Sequence, residues 1–265
     1  MKILHTADWH IGKKLKGIDR ILEFREVLDE ISQIAIDEAV DCIIIAGDIF
    51  DSYLPTNEAE KLFEETIVQI RAKNIDIVLF PGNHDSQKKF DAKSPLLKTA
   101  GVHIVHEINF DDLEKNIISI NRNNQKLQIA VVPWLNESFY AKSFPAMAME
   151  QSINEIGKEY GIYLEYLFNE LVKKLDPEAI QILTSHVLIN GAVIKDADQE
   201  NESSERRLSL EEVTYGVTSS QLPKKVNYIA LGHIHKPQEI IHDVPVYYAG
   251  SILQFSFAEA EQQKF

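Results

Sequence analysis

The chain has 265 residues, 45% of them hydrophobic, and a formal net charge of −14. This length is enough for a sizeable buried core, and no apolar run approaches the roughly 20 residues that a membrane-spanning helix needs. Polar residues come too early at the N-terminus for a signal peptide, and the single cysteine, Cys42, lies in an apolar run, so we expect a cytoplasmic protein with no membrane partner in which Cys42 is core.

The acidic balance argues against a large basic surface for nucleic acid. It does not exclude DNA as a substrate, because binding is local. A site that holds two divalent cations also adds about four positive charges that a residue count omits.

The first third of the chain alternates strand-like runs with helix-like periods. Strands are predicted at Lys2–Thr6, Cys42–Ala46 and Ile75–Phe80. The first intervening helix has its apolar positions at Phe24, Val27, Leu28, Ile31, Ile34 and Ala35. The second has them at Ala59, Leu62, Phe63, Ile67 and Ile70. This β-α-β-α-β order predicts a layered α/β fold, with β-sheets flanked by helices.

The rest of the chain is less regular. A turn at Asn121–Asn124 is expected between two strands, and a long amphipathic helix is expected from Ile153 to Leu171. Later strands are predicted at Ile180–Thr184, Tyr228–Leu231 and Val246–Tyr248. The polar segment Lys195–Arg207 is expected to be an exposed loop. Because we find no repeat and no long linker, one domain over residues 1–265 is expected.

Residues that bind metals or transfer protons follow five of the predicted strands. They are Asp8 and His10, then Asp48, then Asn83, His84 and Asp85, then His186, and finally His233 and His235. In layered α/β proteins, ligands bind beyond the carboxyl ends of strands, so these side chains are expected to converge. Side chains two apart on an extended segment also point the same way, which lets each Asp-x-His or His-x-His pair face one site.

The donor set indicates which metals would fit. Nitrogen and oxygen donors without a thiolate suit Mn²⁺, Fe²⁺ or Zn²⁺, and Mg²⁺ is a further candidate. Seven candidate ligands exceed the needs of one tetrahedral zinc. They suit two cations about 3.5–4 Å apart that share one carboxylate.

Other histidines and aromatic residues have simpler interpretations. His5, His103, His106 and His242 fall outside the strand-end pattern, and we expect them to be structural or surface residues. We expect three large aromatic residues to be packing residues rather than base-stacking platforms: Phe80, Trp134 and Tyr248.

In order, the motifs are Asp-x-His, Gly-Asp, Gly-Asn-His-Asp, His and Gly-His-x-His, and this series resembles the calcineurin-like metallophosphoesterase superfamily. The similarity is greatest to its bacterial SbcD branch. It rests on DWHIGK at 8–13, GDIFD at 47–51, SSER at 203–206, ALGHIHKPQ at 230–238 and YAGSILQFSFAEAEQQK at 248–264.

The resemblance implies two cation sites, for which Mn²⁺ is the usual ion. One site is formed by Asp8, His10, Asp48 and His235. The other is formed by Asp48, Asn83, His186 and His233, with Asp48 bridging the two.

The resemblance also implies the catalytic residues. His84 matches a catalytic histidine that stabilises or protonates the leaving oxygen, and Asp85 is expected to orient its imidazole. Relatives often carry histidine where Asp51 stands, so no role for a second histidine is carried over to that position.

The activity implied by the resemblance is a two-metal DNA nuclease. It would act as a 3′-to-5′ exonuclease on double strands and as an endonuclease on single strands or hairpins, in repair and recombination of double-strand breaks. The implied assembly is a nucleoid-associated homodimer with an SbcC-type ABC ATPase. The chain is expected to end before a DNA-recognition cap and an ATPase-docking segment.

Basic residues near the first motif are candidates for DNA-phosphate contacts, although a solvated face fits them equally. They are Lys13, Lys14, Lys16 and Arg20, with Arg206 and Arg207 as weaker candidates.

Two alternatives stay open. Another enzyme with the same metal centre, such as a cyclic-nucleotide phosphodiesterase or a protein phosphatase, would carry the same motifs. A non-catalytic scaffold would be expected to lose ligands, whereas every motif position is present here.

Overall fold

The structure, a computed structural model, describes residues 1–135, 153–193 and 216–260. The predicted loop Lys195–Arg207, with Arg206 and Arg207, lies outside the described residues. In the described part of the chain, none of the helices has the length and apolar character needed to cross a membrane.

The first sheet contains four parallel strands in the order β1-β2-β3-β4. The strands are β1 (Ile3–Thr6), β2 (Cys42–Ala46), β3 (Asp76–Phe80) and β4 (Val102–Ile104). The connecting helices are α1 (Ile21–Asp37), α2 (Asn57–Arg71) and α3 (Gln87–Thr99). The predicted β-α-β-α-β unit is therefore confirmed, and α3 and β4 extend it beyond the prediction.

The buried residues of α1 and α2 recur with the period of a helix, which explains why these helices form on this sheet. The buried positions of α1 are Phe24, Leu28, Ile31, Ser32 and Ala35. Those of α2 are Ala59, Leu62, Phe63, Thr66, Ile67 and Ile70. Residues three and four apart share one helix face, and both faces join one apolar cluster with the outer face of the sheet.

The second sheet has six strands in the order β5-β6-β7-β8-β10-β9, parallel in the centre and antiparallel at both ends. The strands are β5 (Ile117–Arg122), β6 (Gln125–Val132), β7 (Ile180–His186), β8 (Tyr228–Gly232), β9 (Gln238–Glu239) and β10 (Val246–Tyr248). The predicted amphipathic helix is present as α4 (Ile153–Lys173), and it packs on the outer face of this sheet.

The β5–β6 hairpin turns at Asn123 and Asn124, whose φ angles are 50° and 60°. Two successive left-handed residues are typical of the turns that match strand twist, and asparagine tolerates them. The predicted turn is thus confirmed at Asn123 and Asn124, whereas Asn121 and Arg122 belong to β5.

The two sheets face each other, which makes four layers: helices, sheet, sheet, helix. Cys42 and Ile44 of β2 point into the inter-sheet core with Ile129 of β6, whereas Ile43 and Ile45 point to the helices. A strand covered on both faces has no position for a polar side chain, which explains the unbroken CIIIA run. Cys42 is core, as predicted, and burial raises the pKa of its thiol.

The sheets are in close contact where β2 and β8 end. A Cβ on Gly232 would lie 1.9 Å from the carbonyl oxygen of Ala46, so only glycine fits there. This contact brings the carboxyl ends of strands from both sheets together, and the strand-end motifs therefore meet.

A cluster of charged residues links the sheets at the start of β3. The Asp76 carboxylate lies 3.0 Å from Arg71 Nη1 and 3.0 Å from Arg122 Nε, and Arg122 also donates to the carbonyl of Asn74. Because Arg122 ends β5 and Asp76 begins β3, the cluster ties one sheet to the other.

Candidate metal centre

The structure brings all seven predicted metal ligands into one cluster at the carboxyl ends of β1, β2, β3, β7 and β8. Six are buried: Asp8, His10, Asp48, His186, His233 and His235. Asn83 is half-buried, as is the predicted acid His84. Buried polar groups of this kind need partners, and here they mainly face one another.

The first group surrounds His10. Its Nε2 atom lies 3.0 Å from Nε2 of His235 and 3.4 Å from Oδ2 of Asp48. Ligand atoms of Asp8, His10 and His235 all lie within 4.8 Å of one another. These three residues belong to the predicted first cation site, which stays a prediction.

The second group surrounds Asn83. Its Oδ1 atom lies 2.8 Å from His186 Nε2 and 3.1 Å from His233 Nδ1. His186 Nε2 is also 3.4 Å from Oδ2 of Asp48. The same Asp48 oxygen therefore faces both groups, as a bridging carboxylate must.

The chain reaches this arrangement through strained backbone. Asp8, His10, Asp48 and His233 have φ angles of 51°, 45°, 49° and 108°. Such left-handed conformations cost of order 1–3 kcal/mol each for residues other than glycine and are typical of functional sites.

Main-chain hydrogen bonds hold the strained loops in place. The loop after β1 pairs with the loop after β2 through Asp8 N to Gly47 O (3.1 Å) and His10 N to Asp48 O (2.9 Å). The Asp8 carboxylate accepts from the N–H of His233 at 3.0 and 3.1 Å, which joins the second sheet to the first. A Cβ on Gly82 would lie 2.2 Å from Asp48 Oδ1, so the third loop also packs tightly here.

Carbonyl contacts determine which nitrogen of each histidine faces the centre. His186 Nδ1 lies 2.9 Å from the carbonyl oxygen of Ala46, and a carbonyl only accepts, so Nδ1 carries the proton. The Nε2 lone pair of neutral His186 then points toward Asp48 and Asn83. His84 Nδ1 is held in the same way, 3.0 Å from the carbonyl of Asp51.

Charge is tightly coupled inside the cluster. Burial disfavours the imidazolium of His186, but the adjacent Asp48 carboxylate outweighs burial and raises the pKa of His186 to about 9. Burial works against the charged form of Asp48 as well, yet His186 and His10 keep its pKa well below the usual range. Burial and the nearby His186 lower the pKa of His233 to about 3.

The prediction that Asp85 orients His84 is wrong. The Asp85 carboxylate instead accepts three main-chain N–H groups, from Ile49 (3.0 Å), Phe50 (2.9 Å) and Gly82 (2.9 Å). Burial and the Asp48 charge raise the pKa of Asp85 to about 6, against the effect of these bonds. Asp85 therefore ties the loops after β2 and β3 together, and the Asp51 carbonyl holds His84.

Two of the predicted DNA-phosphate contacts have other partners. Arg20 is buried and donates to Gln254 O at 2.6 Å and to Glu23, so its assignment to DNA is wrong. Lys13 Nζ lies 2.8 Å from Asp51 Oδ1 with its side chain 17% exposed, so it neutralises a carboxylate inside the site. Lys14 and Lys16 are exposed and stay predictions.

The remaining histidines and aromatic residues lie where the simpler interpretation puts them, and one of the aromatic residues also borders the site. Phe80 and Tyr248 are buried core residues, and His103 and His106 contact carboxylates outside the cluster. Trp134, however, stacks on His233 with ring centroids 5.3 Å apart and so forms part of the wall of the site.

Sequence patterns missed two neighbours of the centre. Asp51 contacts His10 and His84, and Phe255 packs edge-on against His10 and His235 at centroid distances of 5.2 and 5.3 Å. The spacing of Asp51 from Asp48 in GDIFD was a usable signal for the first, because both follow one strand. Phe255 has no comparable signal, since it comes from a loop distant in sequence.

The donor set fits a pair of divalent cations. Carboxylate, amide and imidazole donors converge without a thiolate, and two imidazole nitrogens face each other at 3.0 Å, where a single proton is the most that can lie between them. Two donor groups that share Asp48 are the arrangement expected for a two-metal site.

Comparisons with known proteins agree with this geometry. The chain is 32% identical over 267 residues to the D subunit of nuclease SbcCD from Bacillus subtilis, an alignment that covers 100% of this chain and 64% of the relative. It is 30% identical to the protein of the same name from Rhodobacter capsulatus, over 91% of this chain and 59% of that one. The chain thus spans less than two thirds of the length of these relatives.

A solved structure and a family profile identify the fold. The crystal structure of a dimetal phosphatase from Danio rerio superposes with a TM-score of 0.53 at 11% identity, covering 94% of this chain and 86% of that one. At this identity the likeness shows the fold alone, and it confirms the predicted layered architecture. The profile of calcineurin-like phosphoesterases matches residues 1–237. The chain therefore belongs to the calcineurin-like phosphoesterase family.

Proposed function

We propose that this chain is the catalytic part of a two-metal DNA nuclease. The observation that carries the proposal is the position of Asp48, whose Oδ2 atom lies 3.4 Å from a histidine of each donor group. A carboxylate shared in this way supports a centre for two cations rather than one.

The chain's own residues have distinct tasks in such a centre. Asp8, His10, Asp48 and His235 would hold one cation, and Asp48, Asn83, His186 and His233 the other. Bound there, two divalent cations supply Lewis acidity for attack of water on phosphorus. The main-chain N–H of His84 donates to Asp48 Oδ1 at 2.8 Å, which fixes the shared carboxylate.

His84 is the proposed general acid. Its Nδ1 proton is committed to the carbonyl of Asp51, so Nε2 is the atom that remains for proton transfer. The side chain is half-buried at the edge of the cluster, which leaves it within reach of a substrate. Its task is to protonate or stabilise the departing sugar oxygen.

The substrate and assembly are supported by relatives rather than by geometry. The D subunits of nuclease SbcCD from three bacteria match nearly the whole chain. We therefore propose Mn²⁺ as the activating ion and DNA as the substrate, with 3′-to-5′ exonuclease action on double strands and endonuclease action on single strands or hairpins. The proposed assembly is a homodimer with an SbcC-type ATPase, acting on nucleoid DNA in break repair and recombination.

Cleavage of end-labelled hairpin and linear duplex DNA in Mn²⁺ tests the proposal. The parent is expected to cleave both, and His84→Ala to lose roughly 100- to 10,000-fold in rate, as expected for a general acid, while still binding Mn²⁺. His106→Ala is the matched control, because His106 is also half-buried but contacts Asp91, outside the site, at 3.3 Å.

Bis-p-nitrophenyl phosphate separates the alternatives. Hydrolysis of this small phosphodiester without DNA cleavage would favour another phosphoesterase on the same centre. Absence of both activities, in a chain that binds no Mn²⁺, would favour a scaffold and reject the catalytic proposal.

A further inference from the structure

Asp51 lies where the loops after β1 and β2 meet. Its N–H donates to the carbonyl of Ile11 at 3.4 Å, and the preceding residue, Phe50, pairs with Ile11 in a parallel bridge. These main-chain contacts fix Asp51 beside the cluster independently of its side chain.

The Asp51 carboxylate faces His10, a buried residue of the first donor group. Oδ1 lies 3.5 Å from His10 Nδ1, which is longer than an ordinary hydrogen bond. Among the described residues, His10 Nδ1 makes no hydrogen bond of normal geometry, and the Asp51 carboxylate is an acceptor placed 3.5 Å from this buried atom. A proton on Nδ1 directed at Asp51 leaves the Nε2 lone pair directed at Asp48 and His235, which is the form that binds a cation.

The main-chain carbonyl of the same residue accepts from His84 Nδ1 at 3.0 Å. Since a carbonyl cannot donate, this contact also selects one tautomer. Two histidines therefore face two different groups of one residue. The rings of His10 and His84 are themselves in edge contact, with centroids 4.7 Å apart.

We infer that Asp51 is a positioning residue that orients His10 through its carboxylate and His84 through its main-chain carbonyl, and so aligns the first cation site with the proton donor. This inference rests on the proposed function. It assigns to the Asp51 side chain a role in cation binding and to the Asp51 main chain a role in proton transfer. Substitution of Asp51 can separate the two roles, because it removes the carboxylate and leaves the main-chain carbonyl in place.

Lys13 shares the same oxygen. Its Nζ lies 2.8 Å from Asp51 Oδ1 and 5.7 Å from the ring centre of Phe255. The lysine is therefore a second group that could hold the carboxylate in place. If Asp51 acts on His10 directly, Lys13→Met leaves Mn²⁺ affinity at or above that of the parent.

Calorimetric titration with Mn²⁺ tests the inference on Asp51→Ala and Asp51→Asn. In Asp51→Ala, one of the two sites is expected to weaken about 10- to 100-fold, the usual effect of losing a carboxylate behind a metal-binding histidine, and the other to stay as in the parent. Asp51→Asn keeps an acceptor and is expected to lose less. Asp29→Asn, the same charge change on the exposed face of α1, is the control and is expected to bind like the parent.

Turnover at saturating Mn²⁺ gives the second readout. Asp51→Ala is expected to recover to within about threefold of the parent, whereas His84→Ala does not recover, because the carbonyl that holds His84 remains in the first variant. A fold defect would instead lower the melting temperature and weaken both sites, and that result in both Asp51 variants would overturn the inference.

The remaining outcomes separate the inference from the proposed function. Parent-like affinity at both sites in Asp51→Ala overturns the inference alone. Loss in Lys13→Met equal to that in Asp51→Ala also overturns it, because the ion pair would then carry the effect. A parent that binds no Mn²⁺ overturns the proposed function and the inference with it.

Discussion

Two aspartates with low solvent exposure, Asp48 and Asp76, lie at opposite ends of the same sheet. Their carboxylates contact different kinds of charged side chain. Asp76, at the start of β3, has the guanidinium groups of Arg71 and Arg122 at 3.0 Å, whose charges are permanent, with His103 farther away at 3.6 Å. Asp48, after β2, faces His10 and His186, whose charges depend on protons. A carboxylate with fixed cations is a structural tie. A carboxylate beside histidines lies in a group of side chains that can release protons and bind metal ions instead.

Removal of the Asp48 carboxylate gives the largest expected effect. Asp48→Ala should lose both Mn²⁺ sites and at least about a thousandfold in phosphodiester cleavage, because the proposed shared ligand would serve both cations. The metal-free protein should lose less stability than removal of one partner of a buried ion pair usually costs, because His10 and His186 can release their protons once the carboxylate is gone. Calorimetry and thermal unfolding measure the two effects. Mn²⁺ binding at parental affinity would refute the shared-ligand assignment.

Removal of the Asp76 carboxylate should do the opposite. Asp76→Ala leaves two guanidinium groups without their carboxylate and with only carbonyl acceptors, and it should cost about 1–3 kcal/mol of unfolding free energy, a value reduced because the group is 16% exposed. Mn²⁺ affinity should not change. Urea unfolding checks the first point, and Asp243→Ala, which breaks the exposed pair with Lys224, should show no measurable loss. Weakened Mn²⁺ binding in Asp76→Ala would contradict the assignment of metal binding to Asp48 and of a structural role to Asp76.

The wall behind His233 offers a smaller test. Trp134→Ala removes the ring stacked on this histidine and should weaken one Mn²⁺ site about two- to tenfold, the range expected for an aromatic pair. Trp134→Phe should recover most of the affinity. Tyr53→Ala, at an exposed aromatic residue, is the control. Equal loss in the Ala and Phe variants would show that stacking is not the cause.

The smallest expected effect concerns a histidine outside the centre. Burial lowers the pKa of His5 to about 4, against a contact with the main chain of Leu231. Because the ordinary pKa of histidine is 6.5, His5 binds a proton more tightly in the unfolded state than in the folded state. The contribution of His5 to stability is therefore complete above pH 6.5 and is lost as the pH falls toward 4.

Unfolding of the parent and of His5→Leu across this pH range measures the effect. The parent should lose about 1 kcal/mol more than the variant between pH 7.5 and 5.5, roughly the value of one pKa unit. His5→Leu also loses the hydrogen bond to Tyr228, and this loss changes the unfolding free energy equally at pH 7.5 and at pH 5.5. Parallel pH profiles would show that His5 is not buried in its neutral form.

Local patterns determined much of the fold and the membership of the site. Apolar periodicity located β1 to β3, α1, α2 and α4. Burial on one face or on both faces of an element determines which of its positions are apolar. Helix α3 left a weak mark, since its residues include Pro95 and three buried positions, Phe90, Ser94 and Leu97. The two-residue strand β9 is too short to show any period. The seven candidate ligands were found because parallel strands end at one edge of a sheet.

Only the tertiary structure decided which partner each polar group takes. Sequence adjacency suggested that Asp85 serves His84, but the carboxylate turns to three main-chain N–H groups, and the carbonyl of Asp51 takes its place. Arg20 was expected to be a surface cation, yet it is buried against a loop more than 200 residues away. Periodicity reports which face of an element is buried. A hydrogen bond depends on the distance and angle between two atoms, which for residues distant in sequence are set only when the whole chain has packed.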